Sequence, residues 1–140
     1  MGHQYGMSRA AVLIDAGEFE AALQAATEES AREQENSEHW WDRAQALALL
    51  ERYDEAVVDF ERAKRVDSKT SVLDDDMLDD AYFSALLGAA RATGDVAAGC
   101  AKLERYVTQF PSGRHVKDAD DWQKRLRGEL KSQFVKERYE

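Results

Sequence analysis

Apolar residues in this chain recur at three- and four-residue steps, and the recurrence breaks at regular points. Ala10, Val12, Leu13 and Ile14 form a first short stretch that Gly17 closes, and Phe19, Ala22, Leu23 and Ala26 form a second. Trp40, Ala44 and Leu47 lead into Tyr53, Ala56, Phe60 and Ala63. Phe83, Leu86, Leu87 and Ala90 lead through Thr93-Gly94-Asp95 into Ala98, Leu103, Tyr106, Val107 and Phe110, just before Pro111. A last stripe holds Val116, Ala119, Trp122, Leu126, Leu130 and Phe134. Such spacing lays apolar side chains along one face of a helix. Glycine after an apolar stretch marks a helix stop, because it accepts the left-handed conformation that ends helices. The pattern therefore predicts about seven helices: three pairs and a final single helix.

Two of the pairs share a register. Arg9, Ala10, Leu13, Phe19, Glu20, Ala22 and Leu23 align with Arg43, Ala44, Leu47, Tyr53, Asp54, Ala56 and Val57 at an offset of 34 residues. A fixed period of this length is the signature of a helix–turn–helix repeat. One such unit cannot bury its own apolar face, whereas stacked units can, and stacking leaves a curved surface for binding.

If residue 37 is position 1, Trp40 is position 4, Ala44 is 8, Leu47 is 11, Tyr53 is 17, Ala56 is 20, Phe60 is 24 and Ala63 is 27. This set resembles the tetratricopeptide repeat (TPR) family, with Arg43 in place of the usual leucine and Ser68 in place of the usual proline. Small residues at 8 and 20 would let paired helices approach closely, with large ones filling the gaps beside them. The resemblance implies an all-α fold, a TPR-like α-α superhelix, forming a single domain over 1–140. Its repeats would span about 3–36, 37–70 and 80–113. Residues 71–79 would be an acidic insertion, with Asp76 capping the next helix, and a capping helix beginning after Ser112 would run from about 113 to 138. The stretch from Tyr106 to Gly113 also resembles repeats of bacterial envelope-assembly members of the superfamily.

Family positions 2, 5, 9 and 12 line the concave groove. The resemblance places Gln4, Met7, Ala11 and Ile14 there from the first repeat, and Glu38, Trp41, Gln45 and Ala48 from the second. Ala81, Ser84, Gly88 and Arg91 come from the third. The groove then reads as small and apolar, with Trp41 as an anchor and Arg91 as a lone cation, while Trp40 turns into the core. Trp41 could equally pack on its own chain. Family members that grip a terminal carboxylate use lysine and asparagine at places held here by Met7, Ala11, Asp42, Ala81 and Ala85, so that grip is not expected.

Charge narrows the partners. The chain of 140 residues carries a net charge of −9. Residues 1–113 hold 11 Lys/Arg against 22 Asp/Glu, and residues 114–140 hold 8 against 6. An acidic body repels phosphate backbones, which disfavours nucleic acid. No apolar run is long enough to span a membrane. A cytoplasmic location is expected, or a periplasmic one had a leader been removed.

Candidate chemistry is sparse. Asp74-Asp75-Asp76 with Asp79-Asp80 lacks the alternation, glycine and terminal glutamate of a calcium loop. His3, His39 and His115 are dispersed, and Cys100 is the single cysteine, so no metal site, cofactor or enzyme activity is expected. The expected function is a scaffold or adaptor that holds a peptide or helix of a protein partner in the concave groove. The alternative is an assembly subunit that forms a homo-oligomer through the C-terminal helix, using Trp122, Phe134 and Tyr139.

Overall fold

The computed structural model describes residues 7–129, and every regular element among them is a helix. They are α1 (Arg9–Asp15), α2 (Phe19–Arg32), α3 (Ser37–Leu49), α4 (Tyr53–Asp67), α5 (Asp75–Thr93), α6 (Val96–Gln109) and α7 (Val116–Leu126). The described residues gather into two compact units, one reaching Ala85 and one starting at Leu86.

The turns keep the same spacing as the helix starts that follow them. Glu51 holds φ 62° between α3 and α4, and Gly17 (80°) and Gly94 (71°) hold the same left-handed conformation between α1 and α2 and between α5 and α6. These residues are 34 and 43 apart, as are the starts of α2, α4 and α6 at Phe19, Tyr53 and Val96. At Gly17 the N–H bonds back to the Ile14 carbonyl and the Glu18 N–H to Leu13. At Glu51 the same pair of bonds reaches Ala48 and Leu47. This is the Schellman closure of a helix end, made once with glycine and once with a residue that has a Cβ.

In the first unit α1 packs on α2, α2 on α3 and α3 on α4, and α1 also touches α3. Alanine makes the close approaches, since Ala22, Ala44, Ala46, Ala56 and Ala63 are fully buried beside Leu47, Val57 and Phe60. Arg43 has a partner that accounts for it. Its guanidinium reaches across to Asp59 on α4 at 2.9 and 3.2 Å, and its Nε donates to the Thr27 hydroxyl of α2. Asp59 is only 1% exposed and also meets Arg62. Burial pushes its carboxyl above the usual range against the opposing pull of both arginines.

Asp67 finishes α4 differently. Its Oδ1 accepts from the backbone N–H groups of Val72 and Leu73 at 2.8 and 2.9 Å, and from the hydroxyls of Ser37 and Thr70. Burial raises its pKa, but these donors outweigh burial and hold the carboxyl below its ordinary value.

One expectation about this region changes. Within 71–79, Asp75–Asp79 already form the first turns of α5. The cap is Asp74, whose Oδ1 accepts the Met77 N–H, and not Asp76. Trp40 is also not in the core. It is half-buried, donates its indole N–H to the Gln34 carbonyl and lies under the Arg62 guanidinium at 5.0 Å. An indole N–H needs an acceptor, and the exposed link before α3 supplies one.

In the second unit α7 packs on α6. Gly99 brings the α6 backbone against α5 and α7, because a Cβ there would lie 3.1 Å from the Ala90 carbonyl and from Leu126 Cδ1. Tyr106 is fully buried, stacks on Phe110 and accepts the His115 N–H at its hydroxyl. A Cβ at Gly113 would collide with that hydroxyl and with Phe110.

The last helix is shorter than the apolar stripe suggests. It starts at Val116 after His115, so Ser112 lies in the turn ahead of it and does not cap it. It stops at Leu126, where the Gly128 N–H bonds to Arg125 and the Glu129 N–H to Lys124. Gly128 holds φ 79° and completes a Schellman stop that the stripe runs through. Leu130, Phe134 and Tyr139 lie outside the described residues, as do His3 and Gln4.

Candidate binding surface

Nine of the expected groove residues lie among the described residues of the first unit, and they divide between two hollows. Ile14, Gln45 and Ser84 border a hollow of about 370 Å³, together with Ala48 and Ala81. Its floor and wall are apolar, made by Phe60, Tyr53, Ala85 and the 46%-exposed Leu49. Met7, Ala11 and Trp41 border a larger hollow of about 730 Å³. That one is not apolar, since Glu29, Glu33, Glu38, His39 and Asp42 share its lining. The two remaining residues, Gly88 and Arg91, are part of the second unit.

Trp41 serves its own fold and a hollow at once. It is half-buried, with its ring set edge-on to Phe60 at 5.5 Å between centroids. Edge-to-face contact is a favourable geometry for two rings. Arg91 is exposed but not isolated, because its guanidinium lies 5.4 Å from the centroid of Trp122. Arg125 lies over the same ring at 5.0 Å. Trp122 therefore holds two cations of its own unit.

The positions that would grip a carboxylate hold no cation. Among them Asp42 is buried, and its Oδ2 accepts the Ser8 hydroxyl at 2.6 Å. Burial raises its pKa, with the Ser8 hydrogen bond opposing. Ser8 and Asp42 are 34 residues apart. The hydroxyl also accepts the Ala11 N–H and so caps α1. One side chain thus starts a helix and ties it to the following pair.

Sequence reasoning missed the cluster in the larger hollow. His39 Nε2 lies 2.7 Å from Glu33 Oε1 and 3.9 Å from Glu29 Oε2. Their spacing across a helix, a link and the next helix has no motif, although Glu29 and Glu33 one turn apart were visible. Cys100 Sγ lies 3.8 Å from Arg127 Nη1 and from the Gln123 carbonyl, so a cation does reach it. That arginine is already paired with Glu129 at 2.6 Å.

No protein-family model matches the chain, and no curated protein matches it. Among the described residues no helix is long and apolar enough to cross a membrane.

Proposed function

We propose that the chain is a TPR-like scaffold that holds a peptide or short helix of a protein partner in the apolar hollow of its first unit. The observation that carries this reading is the hollow bordered by Ile14, Gln45, Ala48, Ala81 and Ser84. It combines a wall of small residues with exposed apolar surface at Leu49. Apolar hollows edged by a few polar groups are the usual form of binding sites. The 34- and 43-residue spacing of the turns and the Ser8–Asp42 bond support stacked repeats, whose curved faces serve recognition. The acidic body favours a partner segment with apolar anchors and basic flanks.

Ser84 is exposed at the rim, so Ser84→Arg fills the hollow without touching the core. For a partner found by affinity capture, Ser84→Arg is expected to weaken binding by about tenfold or more, measured by calorimetry. Unchanged affinity in a folded Ser84→Arg protein removes the hollow as the site.

A further inference from the structure

We propose that Glu29, Glu33 and His39 form a binding site for one divalent first-row transition metal ion. The donors are one imidazole nitrogen and two carboxylate oxygens, all within 4.8 Å of one another. A bound ion about 2.0–2.1 Å from each donor keeps those atoms about 3.3 Å apart. The observed separations of 2.7 and 3.9 Å from Nε2 fall on either side of that distance. Small side-chain rotations of the two glutamates reconcile them.

The chain builds this arrangement locally. Glu29 sits in the last turn of α2 and Glu33 follows as its C-cap, and both carboxylates reach the His39 ring. The link to α3 is short, and Asn36 caps the new helix by accepting the Glu38 N–H at its Oδ1. That cap brings His39 back over the two glutamates. His39 is 8% exposed, so packing holds its ring. Arg9 approaches the other oxygen of Glu29, Oε1, at 3.8 Å and leaves Oε2 toward the histidine.

The neighbours of Nε2 make opposite demands on it. The Asn36 cap fixes its amide so that Nδ2 faces His39 Nε2 at 3.3 Å. That N–H donor calls for a lone pair on Nε2. The Glu33 carboxylate at 2.7 Å calls for a positive group there. A proton on Nε2 satisfies Glu33 and opposes Asn36, whereas a free lone pair does the reverse. A metal ion on the lone pair answers both carboxylates together, while Asn36 Oδ1 keeps its hydrogen bond from the Glu38 N–H. The hollow adds Glu38 and Asp42 to its lining, so carboxylates outnumber cations around the site. Its volume of about 730 Å³ leaves space for water or a further ligand at the open coordination positions. One nitrogen and two hard oxygens suit Zn²⁺, Co²⁺ or Mn²⁺ better than ions that prefer thiolates.

The test uses the full chain, stripped with chelator and titrated with Zn²⁺ by calorimetry and with Co²⁺ by absorption. One ion per chain is expected, with d–d bands from Co²⁺ and a rise in Tm on adding Zn²⁺. The Glu29→Gln/Glu33→Gln protein changes side chains that are not in the core, and it should bind at least about tenfold more weakly. His39→Gln should do the same, and His115→Ala should bind as the parent does. Circular dichroism of the metal-free proteins separates lost ligands from lost fold. No saturable binding means that His39 and Glu33 form only a direct contact with each other, and it overturns the proposal. Binding that survives the double glutamine change in a folded protein places the ion elsewhere and overturns it equally.

Discussion

The first unit ties its helices together with buried carboxylates, and the second with glycines whose missing Cβ lets neighbouring groups approach closely. Asp59 joins α4 to Arg43 of α3, and that arginine reaches on to Thr27 of α2. Asp67 closes α4 onto Ser37 and the following loop. Asp42 joins α3 to the cap of α1. In the second unit the corresponding work falls to Gly99 and Gly113, with Tyr106 filling the space beside Gly113. The two solutions fail differently. A buried carboxylate punishes loss of its partner, because a charge is stranded in a poor solvent. A close-packed glycine punishes an added side-chain atom.

The largest effect should come from stranding a charge. Arg43→Leu restores the residue that the repeat pattern expects but removes the main partner of Asp59, and should cost about 3 kcal/mol in urea unfolding. The double change Arg43→Leu/Asp59→Leu should regain most of that loss, since an apolar pair can replace a buried ion pair. If both proteins are equally destabilised, the pairing is not what matters.

The second unit's counterpart is Gly113→Ala. One methyl group there must displace Tyr106 or Phe110, at a cost of about 2 kcal/mol. A Tm equal to the parent's would show that the turn yields easily and that the contrast between the units is overdrawn.

Acid titration sharpens the comparison within the first unit. Asp67 has a folded pKa below its unfolded value of about 3.9. Its contribution is present above that unfolded value and is lost as pH falls through the lower folded one. Asp59 is raised by burial, so it favours the fold below the unfolded pKa and loses that contribution as pH rises through the folded one. The stability gap between parent and Asp67→Asn should therefore shrink on acidification below about pH 4. The gap between parent and Asp59→Asn should move the opposite way. Parallel curves in denaturant titrations at several pH values would contradict this assignment.

The smallest effect tests the repeat itself. Glu51 occupies the left-handed position that Gly17 and Gly94 fill in the other pairs. Glu51→Gly should raise stability by about 0.5–1 kcal/mol, because the strain of a side chain there exceeds the added backbone freedom. A loss on this substitution would mean that Glu51 is held by something beyond its backbone.

Helix order and pairing were readable because they depend on local signals. Apolar spacing marks the faces, and Gly17 and Gly94 mark the turns. The starts of α2, α4 and α6 follow from the 34-residue alignment and the shift of nine at the third pair. Errors arose where several residues offered the same signal. A run of aspartates gives several equally good caps, and only the fold selects Asp74. The stripe through Leu126 continues past Gly128, so periodicity outweighed a stop residue that was in plain sight.

The site was harder to read than the fold. Trp41, Gln45 and Ser84 border hollows, but which hollow is polar depends on what the link from Glu33 to Asn36 brings together. Likewise nothing local marks Asp59 as the partner of Arg43 or His39 as the neighbour of Glu33. These pairs are set by how helices approach, which the periodicity of one helix does not encode.

The Asp67 carboxylate also has a consequence for exchange with solvent. Val72 and Leu73 lie beyond the end of α4, ahead of the first turn of α5, where amide hydrogens ordinarily leave within moments. Both donate instead to one buried acceptor. In deuterium oxide this connector should keep its amide hydrogens on the timescale of the helices beside it, and release them only when the end of α4 opens.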